Sequence, residues 1–203
     1  MITCRPMRIG SALLVSAALL LSGACDKSKN NKPGAAPAIA QKDGADGLKA
    51  LFEASHAACK GKDFAKGKQL VMAVIPTKDQ LKKVLKDDVP DDRISKLADQ
   101  FKELPPSDEA AACVFAPDGR TEIRVHASSV EALAAYKEGT PAFAEFPGGA
   151  QKLAEKALKP GTTFYEVEVT EPGKESGTKY HMFFWDGAQW RMMGPAWRVL
   201  ALE

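Results

Sequence analysis

Glu166 and His181 are the two residues of this sequence whose types and spacing come nearest to acid–base chemistry. They flank the turn-forming run Pro172-Gly173-Lys174-Glu175-Ser176-Gly177, which separates two alternating segments, Phe164 to Thr170 and Thr178 to Trp185. Such a pattern predicts a β-hairpin. Setting Thr170 opposite Gly177 places Glu166 against His181, Glu168 against Lys179 and Phe164 against Phe183. A carboxylate beside an imidazole orients the ring and raises its proton affinity, which makes His181 a candidate general base. The pair also reads as a cross-strand ion pair on a sheet face, worth about 1 kcal/mol or less. The sequence leaves both readings open.

The element that must carry the pair runs from Thr162 to Leu200. It contains all three tryptophans and eight of the fifteen aromatic residues, and Asp186-Gly187 marks a second turn. An antiparallel meander is expected, forming the floor of the core. The simple register sorts its side chains. One face takes Phe164, Glu166, Glu168, Lys179, His181, Phe183, Trp185, Trp190 and Met192. The other takes Tyr165, Val167, Val169, Tyr180, Met182, Phe184, Arg191 and Met193, and is expected to be the helix-covered one. Trp185 and Trp190, beside the charged pair, are then candidate residues for lining a small-molecule site.

Upstream, helical spacing dominates. Leu48, Leu51, Phe52, Ser55 and Cys59 predict a helix ending near Gly61, and Phe64 to Ile75 predicts a second one stopped by Pro76. Thr77 and Gln80 form a capping box for a short third helix. Pro90 opens a fourth, with Ile94, Leu97, Phe101 and Leu104 on its apolar stripe. Ala111 to Ala116 and Thr121 to Ala127 flank Pro117-Asp118-Gly119 and predict a hairpin. Ser128 with Glu131 predicts a further capped helix ending at Gly139, then a loop from Pro141 to Gly149, then a helix from Gln151 to Leu158. The expected fold is α+β, with N-terminal helices packed on one face of a C-terminal antiparallel sheet.

Other chemistry is not signalled. There is no G-x-S-x-G, no H-E-x-x-H and no C-x-x-C, and Gly173 to Lys179 has the residues of a phosphate loop in the wrong order. His56 and His126 have no partner at ligand spacing, so neither a metal nor a cofactor is expected. Apolar residues make up 45% and charged residues 27%, as in an ordinary globular domain. Of 28 basic residues, Arg5 and Arg8 lie in a segment expected to be removed. The remainder balance the 26 acidic ones, which leaves no positive field for nucleic acid.

That removable segment is Met1 to Cys25. Two arginines precede the uncharged run Ile9 to Ala24, which is rich in leucine and ends in small residues, the pattern of an export signal. Leu20-Leu21-Ser22-Gly23-Ala24-Cys25 resembles the lipobox of bacterial lipoproteins, with Ser22 where that family favours a large aliphatic residue. The resemblance implies that Cys25 is lipidated and becomes the mature N-terminus. Acyl chains gain about 0.8 kcal/mol per buried methylene, so such a chain would hold to a membrane. Residues 26–45, rich in Lys, Asn, Pro, Gly and Ala, read as a disordered tether, and residues 46–203 as a single α+β domain. Cys59 and Cys113 then remain. In an oxidising compartment they suggest one disulfide, with two separately buried thiols as the alternative.

The whole chain resembles bacterial lipoproteins with a single α+β domain. The helices around Phe52 and Phe64, with Phe183-Phe184-Trp185-Asp186-Gly187 and Trp190 in the closing strands, also resemble the nuclear-transport-factor-like, or cystatin-like, conical fold. The expected function is that of a lipid-anchored cell-envelope protein facing the periplasm or cell surface. It would act as a non-enzymatic domain that binds a partner protein or another envelope component. The alternative is a small-molecule-binding or hydrolase-type site in a conical pocket, using Glu166 and His181.

Overall fold

A computed structural model describes residues 41–101, 105 and 107–200. Cys25, its leader, the chain through residue 40 and Leu104 lie outside the described residues.

The chain enters the fold ahead of its first helix. The side-chain carbonyl of Gln41 accepts the Trp190 backbone N–H at 2.7 Å, and the Lys42 carbonyl accepts the Trp190 indole N–H at 3.0 Å. Helix α1 (Ala45–Lys60) follows, burying Leu48, Leu51, Phe52, Ser55 and Ala58 on one stripe and ending at Gly61. A side chain at position 47 would place its Cβ 1.8 Å from the Lys42 carbonyl oxygen, so Gly47 is required where the entering chain crosses the helix. Asp63 caps α2 (Phe64–Ala73) through the Lys66 N–H. The Thr77–Gln80 capping box forms as the sequence predicts and starts α3 (Lys78–Val84). In α4 (Asp91–Asp99), Ile94 and Leu97 are buried as expected.

The next segment departs from expectation. Ala111 to Ala116 is not a strand, and Pro117-Asp118-Gly119 does not join a hairpin. Ser107 accepts the Ala110 N–H and starts α5 (Asp108–Ala112), an alanine-rich turn of helix that closes on Cys113. Alanine's helix preference and the serine cap outweigh the apolar look of the run. Pro117 to Arg120 instead turns the chain from that helix into β1 (Glu122–Ser129).

Three short helices follow: α6 (Val130–Ala135), α7 (Pro141–Glu145) and α8 (Gly148–Lys156). The cap of α6 is Ser129 rather than Ser128, and the helix stops at Tyr136, whose φ of 40° is left-handed. The expected loop from Pro141 contains α7, with Phe146 buried and Phe143 exposed. The meander is β2 (Thr163–Thr170), β3 (Thr178–Trp185) and β4 (Trp190–Met192), and α9 (Ala196–Val199) ends the described chain.

All four strands form one antiparallel sheet in the order β1-β2-β3-β4. The fold is α+β as expected, but helices cover both faces of the sheet instead of one. On the first face, Leu48 and Phe52 of α1, Leu70 of α2, and Val74 and Phe115, which follow α2 and α5, pack against Val167, Val169, Phe183 and Trp190. On the second, residues of α3, α4, α6, α8 and α9 pack against Phe164, Met182, Phe184 and Met193.

The register explains how residues reach those faces. Glu168 pairs with Lys179 as predicted, but Tyr165 pairs with Phe183, so the register slips by one residue between Tyr165 and Val167. The slip is a bulge at His181-Met182, where Met182 has φ 60°. A one-residue slip exchanges faces for everything beyond it. Phe183, Trp185, Trp190 and Met192 therefore join Val167 on the first face, while Phe184, Arg191 and Met193 join Phe164 on the second.

Candidate functional site

The bulge is also where the predicted acid–base pair sits. Two residues of β3, His181 and Met182, stand against one residue of β2, Glu166. The carboxylate uses both oxygens there. Oε1 accepts the Met182 backbone N–H at 3.1 Å, and Oε2 lies 2.6 Å from His181 Nδ1. Glu166 is wholly buried, whereas the His181 side chain keeps 28% of its surface. Burial pushes the Glu166 carboxyl above the usual carboxylate range, against the opposing pull of His181, the Met182 N–H and Lys179. The imidazole meets the Trp197 indole edge-on, with centroids 5.5 Å apart. Trp197 in turn lies on the bare backbone of Gly149, where a Cβ would stand 2.5 Å from the ring.

So the pair forms as the sequence predicts, but Glu166 is at once the anchor of a left-handed backbone position and the partner of the ring. With Nδ1 engaged, Nε2 is the nitrogen left to act. That is the arrangement of a held, oriented imidazole.

The pair opens a polar strip on the second face. His126 lies opposite Glu166 and Arg124 opposite Glu168 on β1, while Lys179 lies opposite Glu168 on β3. Glu145, at the end of α7, reaches over this strip. It receives Lys179 Nζ at its backbone carbonyl, 3.1 Å, and at its Oε2, 3.2 Å. Glu168 is buried and accepts the Gly177 N–H at 2.9 Å. His126 Nε2 is buried without a hydrogen-bond partner and stands 3.6 Å from Glu145 Oε2, beyond hydrogen-bonding reach. One atom from each of His126, Glu145 and Glu168 comes within 4.8 Å of the others. These three come from three different elements, so no spacing in the sequence announces them. His126 in particular looks isolated there.

The remaining predicted residues are dispersed. Trp190 is fully buried in the first-face core, so it makes no surface for a ligand. Trp185 is half-buried and lines a separate open cleft of about 440 Å³ with Asp43, Lys83, Thr162, Thr163, Tyr165 and Asp186. Asp186 is fixed at its edge: Oδ2 accepts Arg191 Nε at 2.8 Å and Gln80 Nε2 at 3.0 Å, and Oδ1 accepts two backbone N–H groups. Burial acts to raise its carboxyl, but Arg191 and those N–H groups outweigh it and hold the carboxyl below the usual range. Cys59 and Cys113 are bonded, S–S 2.00 Å, tying the end of α1 to the end of α5. Cys25 lies outside the described residues. No helix among them is long and apolar enough to cross a membrane.

Comparison with known proteins adds no relative: no protein-family model, no curated protein and no solved structure matches this chain.

Proposed function

We propose that this is a lipid-anchored protein of a bacterial cell envelope whose folded part works by binding rather than by turnover. The observation that carries the binding half is the cleft beside Trp185. Its volume falls within the range of ligand sites, and an aromatic pair, Tyr165 and Trp185, meets Asp43, Lys83 and two threonines there. Asp43 lies within residues 26–45, read from the sequence as the tether, so the cleft is lined in part by the last residues of that segment. The anchor half rests on the lipobox-like run ending in Cys25, and a bonded cysteine pair fits an oxidising compartment.

Two measurements test the two halves. Metabolic labelling with a palmitate analogue should tag the wild-type chain and fail on Cys25→Ala; equal labelling of both removes the anchor. A photocrosslinking residue at position 185 of the anchored protein should capture a discrete envelope component, and should lose it when Tyr165→Ala opens the cleft. Capture unaffected by Tyr165→Ala, or none at all, removes the binding cleft.

A second reading, a hydrolase-type site, is favoured by one observation, the 2.6 Å contact that orients His181 through Glu166. Against it, Glu166 is also committed to the Met182 backbone. Hydrolysis of an ester substrate that is lost in His181→Gln would establish this reading in place of the first.

A further inference from the structure

The polar strip is short of positive charge. Glu145 and Glu168 bring two carboxylates together beside His126, while the neighbouring Glu166 is engaged by His181 and the Met182 N–H. The Lys179 ammonium makes its direct contact with Glu145, at 3.2 Å. Arg124 gives no relief, because its guanidinium is turned to Glu122 and to the backbone carbonyls of Lys174 and Glu175. Carboxylates this close repel unless a cation joins them.

His126 adds a second, independent sign. Its Nε2 is buried, has no hydrogen-bond partner, and faces the carboxylate of Glu145 at 3.6 Å. A buried nitrogen of this kind costs stability when left unmatched. A donated hydrogen bond would bring the two atoms to about 3 Å. A metal ion would instead sit between them, with its bonds to nitrogen and oxygen each about 2 Å long.

We propose that His126, Glu145 and Glu168 bind a divalent transition-metal ion, with Lys179 paired to Glu145 in the metal-free protein. The three donor atoms already lie within 4.8 Å of one another. One imidazole and two carboxylates are a donor set that Zn²⁺ accepts, and three protein donors leave a fourth position for water or a ligand. The surroundings are ordered in the way such sites need. Glu168 is held by the Gly177 N–H, and Glu145 is fixed at the end of α7 by Lys179 at its own carbonyl. Lys179 keeps 31% of its side-chain surface, so the ammonium has an exit to solvent when metal arrives. None of these residues lines the Trp185 cleft, and none belongs to the anchor segment.

Calorimetric titration of the detergent-solubilised full-length chain with Zn²⁺ after chelator treatment tests it. The wild type should bind one equivalent. Lys179→Met, which removes the competing ammonium, should bind more than about tenfold tighter. His126→Gln and Glu145→Gln/Glu168→Gln should each bind more than about tenfold weaker. Glutamine at 168 keeps an acceptor for the Gly177 N–H, and far-ultraviolet dichroism checks that each variant is folded. Absorption fine structure of the Zn²⁺ form should report one imidazole with oxygen neighbours. The proposal is overturned if neither wild type nor Lys179→Met binds Zn²⁺, or if the double glutamine variant binds as tightly as wild type.

Discussion

The two faces of the sheet are built by different means. The first is closed by aromatic packing: Phe52 meets Phe115, Tyr180 and Phe183 with ring centroids 4.7 to 5.6 Å apart, and the Cys59–Cys113 bond clamps the helices that cover it. The second is apolar only toward Phe164, Phe184 and Met193, and becomes a row of charged groups and imidazoles at its other end. One face spends its side chains on cohesion. The other carries buried polar groups, each of which needs a partner, and such groups are where a fold gives up stability for a task.

Substitutions should bring out that contrast in order of size. On the first face, Phe52→Ala removes the hub of the aromatic cluster and should lower unfolding free energy by up to about 5 kcal/mol in urea titrations. A loss under about 1 kcal/mol would mean the face is not held by packing. Cys59→Ala/Cys113→Ala releases a loop with a sequence separation of 54 and should cost up to about 4 kcal/mol by the chain-entropy argument. Under reductant, the wild type should approach the variant.

The second face should respond to chemistry rather than to size. Glu166→Ala strands the Met182 N–H and should cost about 2 kcal/mol, whereas Glu166→Gln keeps an acceptor and should cost much less. Equal losses for both would mean that the charge, not the bulge, is what Glu166 serves.

Tyr180 offers a pH test of the first face. Its hydroxyl donates to the Val114 carbonyl at 2.6 Å, and burial pushes the phenol up to about 12, with Arg120 opposing. A raised folded value means that the neutral phenol stabilises the fold. That contribution is complete below pH 10 and is lost as pH climbs from 10 toward 12. Thermal midpoints at pH 8 and pH 11 should therefore fall less in Tyr180→Phe than in the wild type. At the small end, Asp91→Asn breaks the exposed contacts with Lys78 and Lys82 and should leave the midpoint unchanged within error.

How far the sequence reaches follows from how local each determinant is. The α1 stripe and the Thr77–Gln80 box are set by residues within a few positions of one another, the Glu168–Lys179 register by one short turn, and all three read correctly. The bulge does not. A non-glycine residue at φ 60° has no compositional mark, and Met182 holds that shape because a glutamate across the sheet accepts its N–H. Without it, the simple register puts Phe183, Phe184, Trp185 and Trp190 on the opposite faces. The partner of β1 is hidden for a related reason. Pro117-Asp118-Gly119 makes a turn, but its partner strand lies beyond three helices. The His126 cluster is likewise a product of topology, since β1, α7 and β2 must all be in place before its members meet.

Gln41 and Lys42 give the molecule a mechanical character. Both grip Trp190 on β4, an edge strand of the sheet, and the entering chain crosses α1 at Gly47 with no room for a side chain. A pull on the chain ahead of Gln41 is therefore delivered first to the sheet edge, through two hydrogen bonds to one indole residue, and reaches α1 and its disulfide clamp only after those yield. Load and fold are separated by a breakable link.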